Sequence, residues 1–332
     1  MTTQQTRIKY SVIVPVFNGE DIIRECLDAL SNQSVNRSDY EIIVVDDGST
    51  DNTAKIAAEV CDRVIAIKNG GPANARNIGV NEAAGEVILF TDADCVPVHD
   101  WVEKMTAPFA EAGIVGTKGA YYTRQDELVA QFVQAEYESK YNYMAQYKYI
   151  DFIDTYSAGF LRKVFLELKG FDTRFPGASV EDQEFSFRVS AAGYKMVFVP
   201  EARVFHRHAA SLGHYFRKKF NIGYWKTLVL KLHPDKVVKD SHTPQTLKLQ
   251  LPLAFLIPIM LAIWPILGVY PFLLVALAFL FTGFRETLCC LRNRYWCAAA
   301  MSPFIMWFRA TGLGLGLIRG IVSPPISKLG LT

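Results

Sequence analysis

The 332-residue chain lacks the signatures of several common chemistries. Its six cysteines (Cys26, Cys61, Cys95, Cys289, Cys290 and Cys297) form no CxxC pair and no metal-finger spacing, so a zinc finger is excluded. No GxGxxG follows the first apolar strand and no GxxxxGK[ST] occurs, so dinucleotide and P-loop readings lose their main support. No apolar signal segment precedes Arg7 and Lys9, and the expectation is a reduced, cytosol-facing chain without a disulfide framework. Charged residues are 20% and hydrophobic residues 50% of the chain, which excludes a disordered protein.

One stretch lacks charge altogether. Leu249 to Phe284 is uncharged over 36 positions, whereas a single membrane span needs about 20. The expectation is two short spans folded at Pro265 to Pro271 (PILGVYP), with Arg285 to Arg294 as a loop returning to the cytoplasm. Tyr295 to Ile318 is again apolar, interrupted by Arg309 and containing Gly312, Gly314 and Gly316. It is compatible with a third span, a re-entrant segment or an interfacial helix whose Arg309 snorkels to headgroups. The net charge of +2 hides a division: residues 1–209 carry −9, 210–248 carry +6 and the remaining tail +5. A basic collar beside apolar spans favours the cytoplasmic side and anionic lipids. It argues against a nucleic-acid partner, whose basic face would lie on the folded domain.

Upstream, short β-rich runs alternate with helical stretches, the pattern of a doubly wound, mainly parallel sheet. Tyr10 to Val16, Glu41 to Val45, Arg63 to Ile67 and Glu86 to Phe90 read as strands buried on both faces; Glu20 to Leu30, Thr53 to Val60 and Ala73 to Ala84 read as helices. Ligands in such sheets bind at the carboxyl ends of strands. There stand Asp46-Asp47-Gly48-Ser49-Thr50-Asp51, readable as an Asx turn with a helix cap or as a ligand loop, and Asp92-Ala93-Asp94. A short Asp-x-Asp can supply oxygen ligands to Mg²⁺ or Mn²⁺.

The ordered set Ser11 to Asn18, Val44 to Asp51, Gly71 to Asn77, Asp92 to Asp94 and Glu181 to Glu184 resembles family 2 glycosyltransferases of the GT-A fold, over about Lys9 to Lys226. The resemblance implies an α/β, GT-A-type, mainly parallel sheet followed by C-terminal transmembrane helices. It implies that Pro15, Phe17, Asn18, Asp46 and Asp47 hold the base and ribose of a sugar nucleotide. Asp92 would lie near the sugar or ribose, Arg76 would add a cation near the nucleotide, and Asp94 would bind the divalent cation bridging the diphosphate. Inverting transfer to a hydroxyl needs a general base, and the resemblance gives that part to Asp182; an N-capping acid is the structural alternative. Glu181, Gly159, Arg217 and Trp225 are further candidates for the acceptor or donor pocket, and His206 for a metal ligand, with His208 expected on the same strand face. Processive polysaccharide synthases of the family carry Gln-x-x-Arg-Trp, where this chain has Arg217 to Trp225 (RKKFNIGYW), so single-sugar transfer is favoured. The tyrosine-rich stretch Tyr137 to Tyr156 suits either a membrane-facing or acceptor surface, or a polar helix on the sheet.

The expected organisation is a glycosyltransferase domain at 1–209, a basic juxtamembrane collar at 210–248, two or three membrane helices at 249–320 and a tail at 321–332. The expected function is metal-dependent, inverting transfer of one sugar from a nucleotide-sugar donor to a hydroxyl acceptor, lipid-linked, at the cytosolic membrane face. The rivals are a polyprenyl-phosphate glycosyl synthase, whose ionised acceptor needs no base, and a nucleotide-sugar-binding membrane scaffold.

Overall fold

The computed structural model describes residues 8–175, 177, 179–237 and 240–325; most of the tail at 321–332 lies outside them. In chain order they form β1 (Tyr10–Val16), α1 (Ile23–Ser31), β2 (Tyr40–Asp46), α2 (Thr53–Ala58), β3 (Arg63–Ala66), α3 (Pro72–Glu82), β4 (Val87–Phe90), β5 (Cys95–Pro97), α4 (Trp101–Thr106), β6 (Ile114–Tyr122) and α5 (Leu128–Met144). Then follow β7 (Ala158–Leu161), α6 (Arg162–Glu167), α7 (Glu181–Ala191), β8 (Lys195–His206), α8 (Leu212–Leu232), α9 (Gln245–Ala262), α10 (Trp264–Leu267), α11 (Tyr270–Thr282), α12 (Phe284–Arg292) and α13 (Trp296–Val322). They divide into two compact units, Met1–Arg124 with Tyr147–Arg207, and Gln125–Gln146 with His208–Thr332. Helix α5, from the middle of the chain, thus groups with the C-terminal helices.

The first unit is built on one sheet in the order β3-β2-β1-β4-β7-β6-β8-β5. The pairs β1–β2, β2–β3, β1–β4 and β6–β8 are parallel, while β7 runs antiparallel to both neighbours and β5 antiparallel to β8. Continuous apolar runs make β1 and β2 interior strands, buried on both faces. Strand β3 departs from that expectation: it is an edge strand with Arg63 and Ala66 exposed. Gly71 (φ 86°) turns the chain into α3, whose first residue is Pro72, a position where the missing N–H costs nothing. A Cβ on Gly79 would lie 2.5 Å from Ile13 Cγ2, so only glycine lets α3 approach β1 this closely. Phe90, Phe160, Phe165, Phe171 and Phe185 pack ring against ring and weld α6 and α7 to β4 and β7.

In the second unit, two of the described helices, α9 and α13, are long and apolar enough to cross a membrane. The 13-residue α11 is shorter than the roughly 20 residues a span requires. Together with α12 it makes a pair of suitable composition bent by 52°. The break between α9 and α11 falls in the Pro- and Gly-containing stretch, as expected. Leu274 is 70% and Phe281 71% exposed, an apolar surface that suits lipid contact.

Two expectations are corrected here. Arg285 to Arg294 is not a loop: α12 occupies most of it and buries Cys289 and Cys290. Arg309 does not snorkel. It is fully buried, 3.3 Å from Glu286, 3.7 Å from Glu136 and bonded to Gln250 Oε1. Within the collar, Lys219 turns inward to Glu136 Oε1 at 2.8 Å. Glu136 also accepts from Lys140 and from the Tyr215 hydroxyl. Burial costs such charges several kcal/mol each, and mutual pairing offsets part of that cost. Helices α8 and α13 meet at backbone distance through glycines: a Cβ on Gly316 would strike the Phe220 carbonyl at 2.1 Å, and one on Gly223 the Leu313 carbonyl at 2.3 Å.

Candidate active site

The strand ends of the first unit carry the polar groups. Strand β1 ends in a buried Pro15, after which Phe17 is 51% exposed and Asn18 takes a left-handed conformation (φ 49°). The Asn18 backbone N–H donates to Ser49 Oγ at 2.8 Å, and its side-chain oxygen accepts from Thr50 N at 2.9 Å, so the loops after β1 and β2 form one edge. Asp46 accepts from the backbone N–H of Ser49, three residues on, at 3.1 Å. Both Asp47 oxygens accept backbone amides, from Gly70 at 2.7 Å and Gly71 at 2.9 Å, so this carboxylate shapes the approach to α3.

Arg76 is not a cation open to solvent. It is 3% exposed and bridges Asp92 Oδ1 at 2.7 Å and Glu181 Oε1 at 3.2 Å. Residues 105 apart in sequence are thereby joined, and the loop after β4 is brought together with the start of α7. Asp182, next to Glu181, is half-buried and accepts its neighbour Gln183 N–H. Burial, and then the charge of Glu181, push its carboxyl up to about 7, with Arg76 and Lys118 opposing. Asp182 is the second residue of α7 and does not cap it, because Val180 stands at the N-cap without a side-chain bond.

Asp94 Oδ2 lies 3.3 Å from His206 Nε2, and Cys95 Sγ lies 3.8 Å from Asp94 Oδ1. These three side chains bring one ligand atom each within 4.8 Å of one another. An oxygen, an imidazole nitrogen and an adjacent open side fit a divalent cation that shares its shell with phosphate oxygens. Burial, then the nearby Asp94 and Asp92 charges, hold the Cys95 thiol well above its usual range.

Other candidates are placed differently. Gly159 lies inside the sheet, where a Cβ would meet Thr117 Oγ1 at 2.4 Å, so packing between β6 and β4 explains it without a ligand. Glu181 is buried as a partner of Arg76. Arg217, exposed, and Trp225, edge-on to Tyr224, belong to α8 of the second unit. His208 is outside β8, stacked on Tyr137 and bonded to Gln134, so the expected shared face with His206 is not formed. The tyrosine-rich stretch divides: Tyr141 is buried in α5, and Tyr156 stacks on Tyr121, which in turn lies 4.4 Å from the His206 ring.

Two groups escaped the sequence reading. Lys118, fully buried on β6, pairs with Asp154 and donates to the Tyr156 hydroxyl at 3.2 Å. A lysine inside the apolar strand IVGTKGAYY was the available signal. Cys95 directly follows the Asp-x-Asp, and only strand pairing reveals that it faces His206.

The fold and the strand-end carboxylates agree with comparisons to known proteins. Residues 11–168 match the model of glycosyl transferase family 2. The chain is 45% identical over 94 residues to a poly(ribitol-phosphate) beta-glucosyltransferase of Bacillus spizizenii, covering 26% of this chain and 15% of that protein. It is 34% identical over 110 residues to glycosyltransferase AglE of Haloferax volcanii, covering 31% of this chain and 36% of that protein. The chain thus spans about a third or less of the length of these two curated relatives. The mannosyltransferase PcManGT from Pyrobaculum calidifontis, solved with GDP-Man and Mn²⁺, superposes with a TM-score of 0.58 at 17% identity, over 95% of this chain and 87% of that one. The fold is of the GT-A type. Residues 11–168 carry a glycosyltransferase family 2 domain, and the named relatives agree with that family.

Proposed function

We propose that the chain transfers one sugar, with inversion, from a nucleotide-sugar donor to a hydroxyl acceptor carried on a lipid at the cytosolic membrane face. The observation that carries this reading is the Arg76 bridge, which draws the Asp92–Asp94 strand end and the high-pKa Asp182 into one unit. Exposed Phe17 offers a stacking face for the base, with Pro15, Asn18, Asp46 and Asp47 forming the surrounding edge. Asp94 and His206 would hold a divalent cation, Mg²⁺ or Mn²⁺, which when bound supplies charge neutralisation to the departing diphosphate. Asp182 takes the acceptor hydroxyl's proton as that oxygen attacks the anomeric carbon from the face opposite the leaving diphosphate; the bond to the diphosphate oxygen breaks in the same displacement. Helices α9 and α13 give membrane attachment, and exposed Arg217 and Lys218 on α8 suit anionic lipids.

The test is nucleotide release from a panel of UDP-, GDP-, CDP- and dTDP-sugars with Mn²⁺ or Mg²⁺, with and without membrane lipid extract. One donor should show release that rises with lipid and is abolished by chelator and by Asp94→Ala. Binding of a donor with no turnover under any condition would instead favour a scaffold.

A further inference from the structure

We infer that Cys95 is a third protein ligand of the cation site and tilts that site toward thiophilic divalent ions such as Zn²⁺ and Co²⁺. The inference rests on the cation site proposed above and adds to it the residue that discriminates between metals. Cys95 and His206 are directly opposed in the antiparallel β5–β8 pair, so their side chains leave the same face of the sheet. Asp94 Oδ1 lies 3.8 Å from the Cys95 sulfur and Oδ2 3.3 Å from His206 Nε2, and one ligand atom of each of the three residues lies within 4.8 Å of the others. A tetrahedral ion with bonds of about 2.3 Å to sulfur and about 2.0–2.2 Å to nitrogen and oxygen spaces its ligand atoms by roughly 3.3–3.6 Å. Among the described residues no other His, Cys, Asp and Glu side chains gather in this way.

The burial pattern matches an open site. Cys95 is fully buried and the His206 side chain is 8% exposed, whereas that of Asp94 is 34% exposed, so the free coordination side lies at the carboxylate. Mg²⁺, which takes oxygen ligands and dehydrates reluctantly, leaves a thiol aside. Zn²⁺ and Co²⁺ take it as thiolate: the S–H bond is replaced by an S–metal bond and one proton goes to solvent. Metal preference is then set by one atom of β5, with the strand pairing supplying the geometry.

The experiment is a titration of the full chain in detergent micelles with Co²⁺ alone, following sulfur-to-cobalt charge-transfer absorption in the near ultraviolet. The wild type should show the band, while Cys95→Ser and Asp94→Asn lose it and Cys26→Ser keeps it. Zn²⁺ affinity should fall roughly ten- to a hundredfold in Cys95→Ser, the scale seen when a metal site loses a supporting group. Mn²⁺ affinity, followed by its electron paramagnetic resonance signal, should change less than about twofold. Co²⁺ that displaces Mn²⁺ without a thiolate band, or a band that survives Cys95→Ser, overturns the inference and leaves the Asp94–His206 site standing. If Cys95→Ser does not fold, the Asp94→Asn spectrum decides, since a band retained there overturns the inference. Failure of the wild type to bind Mn²⁺ or Co²⁺ at all overturns the cation site itself.

Discussion

Each unit contains a buried group of charges, and the two are balanced in opposite ways. Around Arg76 one guanidinium faces three carboxylates, Asp92, Glu181 and Asp182, and the surplus negative charge adds to burial in holding Asp182 up near 7. Around Glu136 three cations, Lys140, Lys219 and Arg309, surround a carboxylate that they hold well below its usual range, with Glu286 on the far side of Arg309. The same ingredients therefore leave a raised carboxyl in one place and a lowered one in the other. Around Arg76 burial and surplus negative charge raise Asp182, whereas around Glu136 three cations hold the carboxylate ionised while burial lowers Lys219 to about 7.

The largest expected effect separates chemistry from stability. Asp182→Asn should lower kcat by about 10²- to 10⁴-fold, the usual worth of a positioned base, while the melting temperature stays within a few degrees of wild type. A loss of only a few-fold would point to an acceptor already ionised, such as a lipid phosphate. Glu136→Gln should do the reverse: it leaves buried cations unpaired and should cost about 3–5 kcal/mol in denaturant unfolding, with activity per folded molecule retained. Because the folded Glu136 carboxyl lies below its unfolded value, its stabilisation is present above the ordinary carboxylate pKa and is lost as pH falls through the depressed one.

A smaller effect tests the helix contact that carries the second group. Gly316→Val places a side chain against the Phe220 carbonyl and should cost about 1–3 kcal/mol, read as a lowered unfolding midpoint. The smallest concerns the tuning of Asp182. Arg76→Lys weakens the fork that holds Asp92 and Glu181, and since Arg76 opposes the upward shift of Asp182, the rising limb of the pH–rate profile should move to higher pH by up to about one unit.

Much of this was legible in the chain because it is local. Strand β1 matches its expected span because its run is apolar on both faces, and the Asp92–Asp94 loop follows β4 as the strand pattern required. What was not legible depends on partners distant in sequence. Arg76 was expected as a cation near the nucleotide, and its buried pairing with Glu181, 105 positions away, was not legible. The snorkelling Arg309 was one of three readings left open for its segment, because its counter-charges, Glu136 and Glu286, lie on other helices. Gly159 looked like a pocket glycine, but the side chain it makes room for, Thr117, is on a neighbouring strand.

The measurement that bears most directly on the central claim is the pH dependence of kcat/KM for the acceptor, from about pH 5 to about pH 9, with the donor identified by the panel. With Asp182 as the base, kcat/KM should rise about tenfold per pH unit below the Asp182 pKa and level off above about 7. A profile flat through that range would contradict the account, since no group titrating near neutrality would then be taking the acceptor's proton.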